Sequence, residues 1–402
     1  MSESAIATVL SDLFQPEFAR NPFPIYAALR QEPPVQVTFP NGQRFWLVTR
    51  YQDVLALFKD RRFSNDYTRF LDLESIPELM RSDRSIVTLD GEDHARLRRL
   101  VGQAFTPRLV EQMRPRVQQI TDELLDAVID AGQMDLVNDF AFPLPMTVIL
   151  ETLGVPVEDR ERCRAGSNAL LLAIDRMGAT PSPELLAQLE DFFGYISQLI
   201  ATKRANPQDD LLSALIQAHE QEDKLSEQEL QELLRALIIA GHETTVSLIS
   251  LGTLELLTNR ALLERLRDNP EQIPAAVEEL LRLESVVTAS GARYATEDIE
   301  LGGQLIPRGD ALLPLVASAN HDPTQFPHPS RFDEANIEGH HLAFGHGAHY
   351  CLGAPLARLE GQIAFATLLR RLPNLHLSDA PDALVWANNW SLRSLKRMLV
   401  EF

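Results

Sequence analysis

The chain has 402 residues, 45% hydrophobic and 23% charged, with a formal net charge of −20 at pH 7. That composition belongs to a soluble globular protein with a large core, and the acidic balance speaks against a nucleic-acid surface, which needs a dominant basic patch. Two cysteines, Cys163 and Cys351, are too few for a disulfide framework.

The first residues, Met1 to Asn21, carry acidic side chains and no long apolar run, so neither a secretory signal nor a membrane anchor is expected, and a cytoplasmic location follows. No Gly/Ser linker, charge run or repeat divides the chain, so residues 1–402 are expected to form one domain. Helical periods predominate over a few short strand patterns, giving a mainly α fold with small β-sheets, of class α+β. Val35 to Phe39 and Arg44 to Thr49 alternate around Pro40-Asn41-Gly42 and predict a hairpin. Helical patterns then run through most of residues 51–270. Within them His94 and Arg98, four apart, share a face of a basic stretch that also holds Arg96, Arg99, Arg108, Arg114 and Arg116. Arg96 and Arg99 are expected to face solvent.

The longest helix is predicted from Ser226 to Thr258, opened by Ser226 with Glu229 at capping-box spacing, and would be about 50 Å long. Its middle, Leu237-Ile238-Ile239-Ala240, is apolar on all faces, as in a buried helix. Gly241-His242-Glu243-Thr244-Thr245 follows. A buried carboxylate there costs several kcal/mol unless paired or hydrated, and Gly241 costs about 1 kcal/mol relative to Ala. The stretch is therefore either a kink with satisfied polar groups or a functional groove. Further on, Glu279 and Arg282 share a helix face, and Arg331-Phe332-Asp333 lies roughly fifty residues later.

Cys351 stands in Phe344-Gly345-His346-Gly347-Ala348-His349-Tyr350-Cys351-Leu352-Gly353, just before an apolar helical pattern. A loop feeding a helix N-terminus offers backbone N–H groups and the positive dipole end to a thiolate, and the glycines allow close approach of a flat ligand. A rival reading takes His340, His341, His346, His349 and Cys351 as zinc ligands, but one thiol without a Cys-X-X-Cys pair is a poor zinc pattern. Cys163 is expected to be structural.

The cysteine loop resembles the haem-ligand signature of the cytochrome P-450 superfamily, and the likeness covers the chain from Asn21-Pro22-Phe23 to the C-terminal strands, nearest to the soluble bacterial members. It implies haem b (iron protoporphyrin IX) between the long central helix and the helix after the cysteine, with Cys351 as the metal ligand. It also implies that His94, Arg98, Arg293 and His349 hold the propionates, and that Glu243 and Thr244 are catalytic, relaying protons and positioning water or dioxygen. His242 is expected to point elsewhere, to a propionate or a neighbouring helix. Arg331 would join Glu279 and Arg282 in a buried network fixing the cysteine loop. Val286, Ser394 and Met398 depart from the usual pattern, at positions tied to substrate shape.

The resemblance implies a monooxygenase inserting one atom of dioxygen into a small, largely apolar organic substrate. Electrons would come from a separate acidic ferredoxin or flavodoxin-type donor docking on the basic stretch, since no dinucleotide-binding glycine loop is present. A monomer without membrane or nucleic-acid partners is expected. The alternatives are a non-catalytic haem sensor and a peroxide-driven peroxygenase. Substrate selection is expected from Arg69 to Val87, Val286 to Gly291 and Asn389 to Leu392. There Phe70, Leu71, Ile86, Val87, Val286, Val287 and Leu392 would form an apolar wall, and Arg69, Thr288 and Ser290 would orient a polar group.

Overall fold

The expected hairpin lies at one edge of the largest sheet in the computed structural model, which describes residues 16–39, 42–71, 85–175, 182–222, 225–387 and 389–402. β1 (Val35–Thr38) runs antiparallel to β2 (Arg44–Val48), with Thr38 opposite Arg44. Phe39 N–H closes the turn on the Gln43 carbonyl at 2.8 Å, while Pro40 and Asn41 at its tip lie outside the described residues. β3 (Phe63–Ser64), β4 (Arg293–Ala295) and β5 (Ala311–Pro314) complete the order β1-β2-β5-β4-β3. Arg293 thus sits on an inner strand, and the strand beside it ends at Ser64, with Asn65 following.

The rest is mainly helical, with three further small sheets of two or three strands among the described residues, and centres on one large apolar cluster. The helices that position the site are α1 (Gly91–Gly102), α2 (Arg114–Asp126), α3 (Pro143–Leu153), α4 (Glu227–Ala240), α5 (Glu243–Thr258), α6 (Ile273–Glu284) and α7 (Ala354–Arg371). α7 packs against α2, α5 and α6 through side chains such as Leu248, Leu280 and Phe365. Leu136–Leu153 and Glu227–Thr258 are long and apolar enough to cross a membrane, but 78% and 67% of these windows is buried inside the protein, which makes them core helices. Cys163 and Cys351 are free, and burial pushes the Cys163 thiol up to about 12, as suits an inert core residue.

α4 opens as its sequence predicts: Ser226 Oγ accepts the Glu229 N–H at 3.1 Å, and the Glu229 carboxylate accepts the Ser226 N–H at 2.9 Å. The same carboxylate binds Arg96 Nη2 at 2.6 Å, so Arg96 does not face solvent but ties α1 to the start of α4. Arg99 is exposed, as expected.

The long helix is not continuous. It stops at Ala240 and resumes at Glu243. A Cβ on Gly241 would lie 2.5 Å from Ile149 Cγ1 on α3 and 2.6 Å from the Leu237 carbonyl oxygen, so the close approach of α3 demands the residue least able to hold a helix. His242 completes the break. At φ −127° it leaves the helical range, and its Nδ1 takes the Ile238 carbonyl at 2.7 Å that its own N–H would otherwise occupy. Ala240 is exposed rather than buried, so one face of the apolar middle opens.

Arg282 and Glu279 form a two-pronged pair, Nε–Oε2 and Nη2–Oε1 both at 2.7 Å, with side chains 1% and 0% exposed. Arg282 also donates to the carbonyls of Asn320, Pro329 and Arg331. Arg331 therefore joins the network only through its backbone: its guanidinium is 65% exposed and bonds Asp333.

Glu360 on α7 is fully buried against Thr245 of α5, and burial pushes its carboxyl up to about 8. Its ionisation is disfavoured in the fold, so its share of stability is intact below the unfolded value of 4.5 and is lost as pH rises through about 8. Glu360→Gln should abolish that loss. Urea unfolding should show the variant matching wild type near pH 4 and exceeding it by a few kcal/mol near pH 8. Equal stability at both pH values would contradict the buried-acid assignment.

Candidate functional site

The cysteine loop closes on itself through backbone bonds. Gly345 N–H donates to the Leu342 carbonyl at 2.8 Å and Cys351 N–H to the Phe344 carbonyl at 2.9 Å. Gly347, at φ +75°, runs so close to α-helical residue Phe58 that a Cβ would lie 2.7 Å from its carbonyl oxygen. Gly353 caps α7, and the N–H groups of Gly353 and Ala354 point at the Cys351 sulfur. Burial pushes this thiol up, while those two N–H groups, Arg98 and Arg358 act in the opposite direction. A bound metal ion would deprotonate such a thiol outright.

Arg358, which the sequence reading missed, is the fifth residue of α7. It grips Glu278 of α6 with Nε at 2.7 Å and Nη2 at 2.8 Å, donates to the Tyr350 hydroxyl at 3.1 Å, and lies over the Phe344 ring at 4.6 Å. Cys351 lies before the helix, so helical spacing offered no signal for this contact. Although burial works against the charged form of Glu278, Arg358 and His341 outweigh it and hold the carboxyl at about 2. His341 lies 3.2 Å from Glu278 and His346 is exposed. No cluster of three or more His, Cys, Asp or Glu able to hold a metal occurs among the described residues, which removes the zinc reading.

His94, Arg98, Arg293 and His349 are brought together from α1, β4 and the cysteine loop. His94 stacks on His349 with ring centroids 4.0 Å apart, and Arg98 donates to the Tyr350 carbonyl at 2.5 Å. Arg293 is buried over the Phe58 ring at 5.6 Å, and burial lowers it to about 10 with Asp90 opposing. Burial, with His349 and Arg98 adding to it, takes His94 down to about 4, and its Nε2 is buried without a hydrogen-bond partner among the described residues.

Asp90 was not anticipated, although it immediately precedes α1 and lies four residues before His94. It accepts from Ser64 Oγ and Asn65 N–H, each at 2.6 Å, and from His349 Nε2 at 3.1 Å. Burial acts to raise this carboxyl, but the three donors prevail and hold it at about 2. It joins β3, α1 and the cysteine loop at one point.

These side chains fit a flat, metal-bearing dianion. A buried thiol with N–H donors aimed at its sulfur can ligate a metal. The orphaned nitrogen of the neutral His94 leaves a hydrogen-bond position open, and the buried Arg293 and the neighbouring Arg98 carry the positive charge that two propionates would balance.

Glu243 and Thr244 begin α5 beside the exposed Ala240. Thr244 Oγ reaches the Ala240 carbonyl only at 3.4 Å, and Glu243, 17% exposed, meets His242 Nε2 at 3.1 Å. His242 therefore does not point away: it bonds the acid and packs edge-on to Phe142, next to α3. Two of the three segments expected to select substrate are joined, since Val287 bridges to Leu392 and Thr288 N–H donates to the Ser391 carbonyl at 2.9 Å. The Thr288 hydroxyl donates to the Trp390 carbonyl, so only its lone pairs remain to meet a polar group. Arg69 is exposed and lies over Phe70, which stacks on Tyr294. Residues 72–84 of that loop lie outside the described residues.

Replacing Asp90 by Asn removes the charge that orients His349. The variant should lose haem to an acceptor such as apomyoglobin about 10- to 100-fold faster than wild type, the usual cost of removing an orienting partner. An unchanged rate of haem transfer would show that Asp90 plays no part in holding the group.

A family model described as cytochrome P450 matches residues 179–386. Cytochrome P450 CYP107DY1 of Priestia megaterium is 46% identical over 370 residues, 89% of each chain, and the polyketide biosynthesis cytochrome P450 PksS of Bacillus subtilis is 41% identical over 96% of each. The crystal structure of a myxobacterial cytochrome P450, CYP267B1, in complex with myristic acid superposes with a TM-score of 0.90 at 41% identity, covering 97% of this chain and 98% of that one. The chain belongs to the cytochrome P450 family and is a haem-thiolate monooxygenase of the soluble bacterial type.

Proposed function

We propose that Cys351 is the haem-iron ligand, that His94, Arg98, Arg293 and His349 hold the propionates, and that Glu243 and Thr244 are the catalytic pair. The observation that carries this reading is the convergence of four basic groups, one with an orphaned buried nitrogen, around the loop whose N–H groups face the Cys351 sulfur. Bound haem supplies the activation of dioxygen; the chain positions it, excludes water and delivers protons. Thr244, with only a long bond back to Ala240, has a hydroxyl available to a water or substrate oxygen in the groove, and Glu243, partly exposed, links that groove to solvent.

The substrate assigned is a long apolar acyl or polyketide-like molecule. The apolar Val286, Val287 and Leu392 support this, as does the likeness to proteins whose names record polyketide biosynthesis and bound myristic acid. Myristic acid should displace the iron-bound water of the ferric protein in a spectral titration, and a small polar polyol such as glycerol should not.

The electron donor assigned is an acidic ferredoxin or flavodoxin. Of the basic stretch, Arg114 and Arg116 pair with Glu111 and Glu151, and Arg96 pairs with Glu229. Exposed positive charge thus rests on Arg99 and Arg108, and Leu109 and Tyr350 are exposed as well. The protein is assigned as a single-domain, cytoplasmic monomer.

Thr244→Ala tests the catalytic pair. Product formed per electron should fall about tenfold or more, with the electrons recovered as peroxide, and haem content should not change. Unchanged coupling would remove Thr244 from the mechanism.

A further inference from the structure

His242 is the one buried polar residue at the break in the long helix that the proposed catalytic pair leaves without a role. It is 0% exposed, bounded by the Phe142 edge on one side, while both ring nitrogens have acceptors in reach. Nδ1 lies 2.7 Å from the Ile238 carbonyl and Nε2 lies 3.1 Å from Glu243 Oε1. A carbonyl only accepts, so Nδ1 must carry a proton. Nε2 then faces a carboxyl group, and two bare lone pairs would repel at that distance. One proton must lie between them, either on Nε2 of an imidazolium facing a carboxylate or on Oε1 of a carboxylic acid facing a neutral ring.

We propose that His242 is a positioning residue that shares a proton with Glu243 and recharges it between turnovers. The inference rests on the assignment of Glu243 as the proton-delivering acid and extends it by one residue. The bookkeeping is simple. On demand the one shared proton passes from His242 Nε2 to Glu243 and from Glu243 to the groove, which leaves a carboxylate facing a neutral ring that keeps its Nδ1–H on the Ile238 carbonyl. The pair is then one proton short, and a solvent proton entering at the exposed edge of Glu243 restores the bond to Nε2, so protons and charge balance over one cycle. His242 itself has no route to solvent. Glu243 provides the opening, and Gly241 permits it by breaking the helix so that His242 and Glu243, adjacent in sequence, face each other instead of pointing a hundred degrees apart.

The charged groups around the pair are few. Arg164 lies over the Phe142 ring at 4.0 Å and donates to Asn138, and Glu360 of α7 faces the neighbouring Thr245. Neither is bonded to His242, so the shared proton is held by Glu243 alone. Replacing the ring should therefore act through Glu243.

Two measurements on the holoenzyme test this. In ¹⁵N-histidine NMR of the reduced, carbon-monoxide-bound protein, which is diamagnetic, His242 should show a protonated Nδ1 and an Nε2 in a strong proton-sharing bond. Glu243→Gln should abolish the second signature and leave the first. An Nε2 with no shared proton in wild type overturns the proposal without recourse to any variant of His242. Second, His242→Phe keeps the packing against Phe142 and removes the proton. Product per electron should fall about tenfold, toward the level of Glu243→Gln, with haem content and the carbon monoxide spectrum unchanged. If Glu243→Gln uncouples and His242→Phe does not, His242 has no part in the relay and the inference fails alone. If Glu243→Gln is itself fully coupled, the assignment of Glu243 fails first and takes the inference with it.

Discussion

The fork between Glu279 and Arg282 is the interaction on which the position of the cysteine depends. Both side chains are out of water, and each remaining donor or acceptor fixes a piece of the chain that leads to Cys351. Arg282 holds the carbonyls of Asn320, Pro329 and Arg331, and Glu279 accepts the Asp333 N–H and Asn336 Nδ2. The side-chain carbonyl of Asn320 in turn accepts the Leu342 N–H at 2.7 Å, and Leu342 anchors the turn of Gly345. Removing either partner would strand a buried charge, at a cost of about 3–5 kcal/mol, and would free the whole segment at once.

A second layer of buried charge surrounds the loop itself. Arg358 and Glu278 clamp Tyr350 and Phe344 from α7 and α6, while Asp90 draws His349 toward β3. The arrangement divides its charges by purpose. Acids on the flanks are ion-paired and kept well below the usual carboxylate range, whereas Arg293 has only Asp90 as counter-charge, Arg98 faces the Cys351 sulfur, and His94 is held neutral. That imbalance is what a dianionic, metal-bearing ligand would correct. The helix break at Gly241 is the complementary device, a local weakness demanded by the contact with Ile149 that presents Glu243 and Thr244 at the start of a new helix.

Much of this was legible in the sequence because the signals are local. The hairpin, the capping box of Ser226 and Glu229, the turn–helix setting of Cys351 and the i, i+4 placement of His94 and Arg98 each follow from a few neighbouring residues. What escaped notice depends on partners distant in the chain. Nothing near Arg96 signals that Glu229 will bind it, and Arg331 looks like a network member until its guanidinium is seen in solvent. Asp90 acts on His349 across the sheet edge, a contact without a sequence pattern. The break at Gly241 was underestimated because it arises from the approach of Ile149 on another helix, and with it the true direction of His242 was missed.

The central claim is that Cys351 binds haem iron as a thiolate. Reducing the purified holoprotein, adding carbon monoxide and recording the position of the main haem absorption band tests it most directly. The account predicts a strongly red-shifted band, the signature of a thiolate ligand, lost in Cys351→His. A wild-type band at the shorter wavelength typical of imidazole ligation would contradict it.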